Sequence, residues 1–195
     1  MGKIFCVMGK SATGKDTIFE KLLNKLDLKR IIPYTTRPIR DGEVSGREYH
    51  FCTEEDVTRL ESEGRIVELR TYHTVYGPWK YFTVDDGNIQ LDRENYLLIG
   101  TLEAYTKMRD YFGTEKVVPI YVEVEDGERL LRAIAREKGQ DVPKYEEMCR
   151  RFLADAKDFS EDNLKVAGIE RRFLNKQLDE TLAEIEQYIQ NQVEF

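Results

Sequence analysis

The sequence predicts an α/β sandwich on a central parallel sheet, and three observations carry that expectation. Short apolar runs of the kind buried on both faces of a sheet recur at Ile4–Met8, 96–100 and 117–122. A helical pattern follows each of them. The 195-residue length suits one compact core with a small insertion or two.

The elements follow in order. After Gly9, the residues Ile18, Leu22, Leu23 and Leu26 recur at helical spacing, so the chain opens as strand, glycine loop, helix. A further buried strand is expected over 30–33. From Tyr34 to Thr83 the texture changes to short alternating stretches at 48–52, 66–72 and 81–83, rich in Tyr, Phe, Val and Thr, which predicts a small, mainly antiparallel insertion. Within it, Thr53 stands three residues before Asp56, an arrangement that starts a helix over 54–63, with Gly64 ending it. From Asp126 to about Ser160 the chain reads as charged helix broken near Gly139 and Pro143, as a helical lid would be. Leu178, Leu182, Ile185 and Ile189 form the apolar stripe of a last helix. The expected division is a core of 1–33, 84–128 and 158–195, an acceptor-binding insertion of 34–83 and a lid of 129–157.

Composition narrows the function. A formal charge of −7 argues against a general nucleic-acid binder, so any phosphate site must be local. No apolar run approaches the roughly 18 residues of a membrane helix, and the start passes directly into a strand; the expectation is a cytoplasmic protein without membrane or nucleic-acid partners, monomeric or homodimeric. Cys6, Cys52 and Cys149 are odd in number and far apart, which predicts buried reduced thiols rather than disulfides or a zinc site. His50 and His73 are expected to be structural or surface groups.

Two motifs carry chemistry. Gly9-Lys10-Ser11-Ala12-Thr13-Gly14-Lys15 satisfies the G-x-x-x-x-G-K pattern of a P-loop between strand and helix. Its glycines let backbone N–H groups turn inward, the helix start adds positive potential, and Lys15 can reach the β- and γ-phosphates of a triphosphate. Asp16 and Thr17 follow, where a Ser or Thr usually ligates Mg²⁺. Asp16 is a hard-ion ligand that would repel phosphates without a metal, or it is simply an acid favoured at a helix start. The second motif is the run from Tyr34 to Phe51, in which Arg37 and Arg40 stand three residues apart on a Pro38-stiffened loop with Tyr49 nearby. Two guanidinium groups and a phenol make a clamp for a phosphate dianion.

With the P-loop upstream, the T-T-R-P-x-R-x-G-E-x-x-G-x-x-Y-x-F pattern of residues 35–51 resembles the signature of guanylate kinases. The resemblance implies a P-loop three-layer sandwich and transfer of a phosphoryl group from ATP, with Mg²⁺, to a nucleoside monophosphate, GMP or dGMP first. It also implies site residues: Arg37, Arg40, Tyr49 and Tyr76 on the acceptor phosphate and Glu68 on the guanine edge. Arg132, Arg136 and Arg151 would be lid arginines, Asp158 would stand in for a glutamate, and Asn175 would lie at the adenine. Lys15 and the three lid arginines would carry catalysis, because phosphoryl transfer is mostly positioning and neutralisation of spreading charge.

Three departures bear on the acceptor. Pro33 and Pro78 replace hydroxyl residues, and Leu97-Leu98-Ile99-Gly100-Thr101 lacks the two acids of the family's L-D-I-D strand. Two other readings stay open on that account: a kinase for a different small phosphate acceptor, and a binding module that has abandoned catalysis. The complete glycine loop with Lys15 speaks against the second.

Overall fold

The computed structural model describes residues 1–74 and 77–193. A five-stranded sheet is built from β1 (Ile4–Met8), β2 (Lys29–Arg30), β7 (Tyr96–Ile99), β8 (Val117–Glu123) and β9 (Arg172–Leu174). Its order is β2-β7-β1-β8-β9 and every pairing is parallel. Alternation along β1 decides the two layers that cover it. Ile4, Cys6 and Met8 face one side, with Tyr105 and Met108 of α3 (Leu102–Phe112) and Leu164 of α6 (Glu161–Val166). Phe5 and Val7 face the other, with Ile18 and Leu22 of α1 (Lys15–Lys25) and Leu182, Ile185 and Ile189 of α7 (Leu178–Val193). All five β1 residues are fully buried, as a central strand covered by helices on both faces requires.

A second sheet, in the order β4-β3-β6-β5, comprises β3 (Tyr34–Thr35), β4 (His50–Phe51), β5 (Ile66–Thr74) and β6 (Gly77–Val84). β3 and β4 run parallel; the other pairings are antiparallel. It has its own apolar cluster, in which Phe82 and Val84 pack on Val57 and Leu60 of α2 (Glu54–Ser62). Thr53 and Asp56 close a reciprocal cap at the start of α2, and Gly64 follows its end with φ +68°. Two charged helices, α4 (Asp126–Lys138) and α5 (Tyr145–Asp158), complete the chain.

Several elements differ from expectation. The strand expected at 30–33 shortens to Lys29–Arg30, because Pro33 has no N–H to give to a ladder and the chain there crosses into the second sheet. α6 was not anticipated from the sequence; Ser160 caps it by accepting from the Asn163 N–H. Of the three free cysteines only Cys6 is buried. Cys52 is half-buried and Cys149 is exposed on α5, so the expectation of three buried thiols fails for Cys149.

Candidate active site

The glycine loop leaves the carboxyl end of β1 and runs into α1, where the strands of a parallel sheet open their ligand crevice. Two of its glycines are required by space. A Cβ on Gly9 would stand 2.4 Å from the Val122 carbonyl oxygen, and one on Gly14 would stand 2.7 Å from Asn175 Nδ2. Ala12 holds φ +65°, the left-handed region a side chain rarely adopts. The loop is braced from outside by three neighbours. Asp155 on α5 accepts the Ser11 N–H at 2.6 Å, buried Asn175 donates to the Thr13 carbonyl at 2.8 Å, and Arg129 donates to the Ser11 carbonyl at 3.3 Å. Thr13 closes the loop internally by donating its hydroxyl to the Lys10 carbonyl at 2.9 Å.

Arg129 is the most deeply buried cation of this region. It lies 3.0 Å from Asp126 and 3.4 Å from Asp155, with its guanidinium 3.9 Å from the Phe152 ring centre. Burial opposes ionisation of Asp126, but hydrogen bonds from Arg129 and Lys10 hold its carboxyl below the usual aspartate value. The family resemblance pointed to Arg132, Arg136 and Arg151 instead. Arg132 donates to the Asn175 carbonyl at 3.2 Å and pairs with Glu128 at 2.9 Å; Arg136 is exposed beside Glu137; Arg151 is exposed on α5. Arg132, Lys10, Asp126, Leu174 and Asn175 line a cleft of about 780 Å³. The Asn175 carboxamide, expected at a nucleotide base, is engaged with the loop backbone through its Nδ2.

Lys15 is largely buried, with its ammonium 3.7 Å from the Asp16 carboxylate, which is 79% exposed. Asp16 and Thr17 offer one carboxylate and one hydroxyl. Among the described residues no group of three or more His, Cys, Asp or Glu stands ready to hold a metal. That donor set fits Mg²⁺ in its usual phosphate-site form, one or two protein oxygens completed by phosphates and water, and does not fit a metal held by protein alone.

The second sheet presents the other half of the site. Register places Phe51, Thr35, Tyr81 and Arg70 in one row across the four strands, flanked on the same face by Glu68 opposite Thr83 and by Tyr72 opposite Trp79. Arg37 joins this face. It is 3% exposed, its guanidinium sits 5.5 Å from the Tyr49 and Phe51 ring centres, and it pairs with Glu43 at 2.8 Å. Glu43 also accepts the Arg40 N–H at 2.8 Å, which ties the two arginines to one carboxylate, while the Arg40 residue remains exposed. Burial pushes the Tyr49 phenol up. Tyr76 lies outside the described residues.

Glu68 is buried and accepts three hydrogen bonds from protein. Arg70 forks onto it, Nε to Oε2 at 2.9 Å and Nη2 to Oε1 at 3.2 Å, and the Thr83 hydroxyl adds 2.9 Å to Oε1. Arg70 Nη1 reaches on to Thr101 Oγ1 at 3.3 Å, at the N-terminal cap of α3. Burial works against its charge, and Glu68 more than offsets that, so its pKa lies above the ordinary arginine value. Sequence reasoning missed Arg70, although Glu68, Arg70 and Tyr72 follow the two-residue period that puts alternate strand residues on one face. It also missed the Arg129–Asp155 pair. No local spacing reveals that pair, because its members come from different helices.

A glycine loop at the mouth of a parallel sheet, together with a smaller sheet that carries a caged arginine, defines a nucleoside monophosphate kinase. The family model for guanylate kinase matches residues 1–192, and the chain belongs to the guanylate kinase family. It is 27% identical over 186 residues to the guanylate kinase of Paraburkholderia xenovorans, covering 95% of this chain and 78% of that one. It is 30% identical over 146 residues to that of Thermotoga maritima, covering 72% and 68%. The crystal structure of guanylate kinase from Anaplasma phagocytophilum superposes on the whole chain and 87% of its own length, with a TM-score of 0.71 at 22% identity.

Proposed function

We propose that the chain transfers the terminal phosphoryl group of ATP to GMP. The observation that carries this reading is Arg37: a cation 3% exposed, held by Glu43 and by two aromatic rings, on the loop that leaves β3 of the second sheet. A buried guanidinium fixed on one edge by a carboxylate is pre-organised for a dianion on another. Arg37, Arg40 and Tyr49 then hold the acceptor phosphate, and Glu68 faces the base. The glycine loop and Lys15 hold the donor triphosphate, with the donor's nucleoside directed to the cleft at Lys10, Arg132 and Asn175. Asp16 and Thr17 would hold Mg²⁺ together with the phosphates, and the ion when bound supplies charge neutralisation.

Catalysis in this reading is positioning. Arg132, Arg136 and Arg151 bring cationic charge to the equatorial oxygens as the lid, 129–157, closes on the core, and closure excludes water from the transfer. The insertion, 34–83, moves as a body because its sheet packs on its own cluster with α2. The test is a coupled ADP-release assay with Mg-ATP against GMP, dGMP, AMP, CMP, UMP and dTMP, beside Lys15→Ala. Turnover with GMP that disappears in the variant is expected; silence with every acceptor refutes the proposal.

A further inference from the structure

We infer that Arg70 is a specificity-determining residue that removes discrimination by the purine 2-amino group, so that the acceptor site takes 6-oxopurine nucleoside monophosphates with or without it. The inference rests on the reading of Glu68 as the base-facing carboxylate and deepens it.

The argument is a count of lone pairs. An ionised carboxylate offers about four acceptor positions, two on each oxygen. On Glu68, Oε1 is filled by Arg70 Nη2 and the Thr83 hydroxyl, and Oε2 takes Arg70 Nε. Among the described residues one acceptor position is left, on Oε2. Guanine presents two donors side by side on this edge, the N1–H and the 2-amino group, and a free carboxylate would receive both. Glu68, with Arg70 forked across it, can receive one.

Arg70 also changes what the site donates. Of its five N–H groups, two go to Glu68 and one to Thr101, so guanidinium hydrogens remain for a carbonyl oxygen. The cavity beside it, about 590 Å³, is lined by Arg70, Tyr72, Thr101, Glu103 and Asp158. At most one acceptor beside a donor matches the N1–H and 6-oxo pair that guanine and hypoxanthine share; Arg70 lines the cavity, whereas the Glu68 side chain is 1% exposed and does not. The sequence departures noted above point the same way. Pro33 and Pro78 carry no hydroxyl, and Leu98 and Gly100 on and after β7 carry no carboxylate that could draw Arg70 away from Glu68.

The test compares GMP with IMP on the wild-type protein, by kcat/KM in the coupled assay and by calorimetric titration without ATP. Ratios within about tenfold in turnover and in binding are expected, and Arg70→Ala, which frees the second Glu68 position, should raise GMP over IMP by about tenfold or more. Arg70→Lys, which keeps a charge but cannot fork, should fall between. A hundredfold wild-type preference for GMP in binding overturns the inference, whatever Arg70→Ala does to folding. So does an Arg70→Ala protein, folded by circular dichroism, with an unchanged ratio. Equal binding of GMP and IMP without turnover supports the inference while refuting the proposed reaction; binding of neither refutes both.

Discussion

Replacing Arg129 with Met tests whether the lid helices hold the glycine loop in shape. Arg129 is fully buried, and its removal leaves Asp155, 19% exposed, facing the Ser11 N–H without its buried partner. Breaking a buried pair by deleting one partner costs about 3–5 kcal/mol. Partial exposure of Asp155 puts this case near the lower end. Asp126 adds little, since it is half exposed and water screens it. Met keeps part of the contact with Phe152. A loss of about 3 kcal/mol follows, which for a chain of this size lowers Tm by about 6–12 °C.

Asp155→Asn keeps an acceptor for Ser11 and removes the charge, so it should cost only about 1–2 kcal/mol. In the double variant neither charge is stranded, and urea melts of all four proteins should give a coupling energy of about 1–2 kcal/mol. The Arg129→Met variant should also lose about tenfold or more in kcat/KM for ATP, because an ångström of misplacement in a phosphate-holding loop weighs heavily on transfer. Strict additivity in the cycle, or a Tm within 2 °C of wild type, would refute the bracing argument.

Other expectations follow from single features. Gly9→Ala drives a Cβ to 2.4 Å from a backbone carbonyl that cannot rotate away, and calorimetry should show a loss of about 3 kcal/mol; Gly139→Ala, whose nearest contact would be an ordinary 3.6 Å, should not destabilise. Hydrogen bonding to Arg37 holds the Glu43 carboxyl below its usual 4.5, so this contribution to stability is complete above that value and is lost as pH falls through the lower folded value. Melting curves from pH 6 to 3 should therefore fall more steeply for wild type than for Glu43→Gln. Burial pushes the thiols of Cys6 and Cys52 up to about 12 and about 11, whereas Cys149 is exposed. Iodoacetamide followed by peptide mass spectrometry should mark Cys149 first, and equal labelling of Cys6 in the native protein would contradict the described core.

What was legible in the sequence had a local cause. Apolar runs on β1, β7 and β8, the Thr53–Asp56 cap and the stripe of α7 each depend on residues close in the chain, and the structure carries all of them. The glycine loop was legible for the same reason. The end of β2 was not, because the chain's departure from one sheet to another is decided by partners far along the chain, Lys29 pairing with Tyr96 and Tyr34 with Phe82. Among the candidate residues, Arg37 and Tyr49, expected together in one clamp, stand with the guanidinium 5.5 Å from the Tyr49 ring centre. The engagement of Glu68 by Arg70 and Thr83, and of Asp155 by Ser11 and Arg129, depends on contacts between separate strands and helices. Charge patterns read along one dimension do not contain those contacts.

The insertion sheet owes its cohesion to Val57, Leu60, Phe82 and Val84, on the side away from Glu68 and Arg70. The residues proposed to choose the base therefore sit on one surface of a lobe whose apolar cluster lies on the other. In the proposed reading acceptor choice is thus open to laboratory selection through libraries at positions 68, 70, 83 and 101, with 68 and 70 varied together, because losing one partner of the buried Glu68–Arg70 pair strands the other charge.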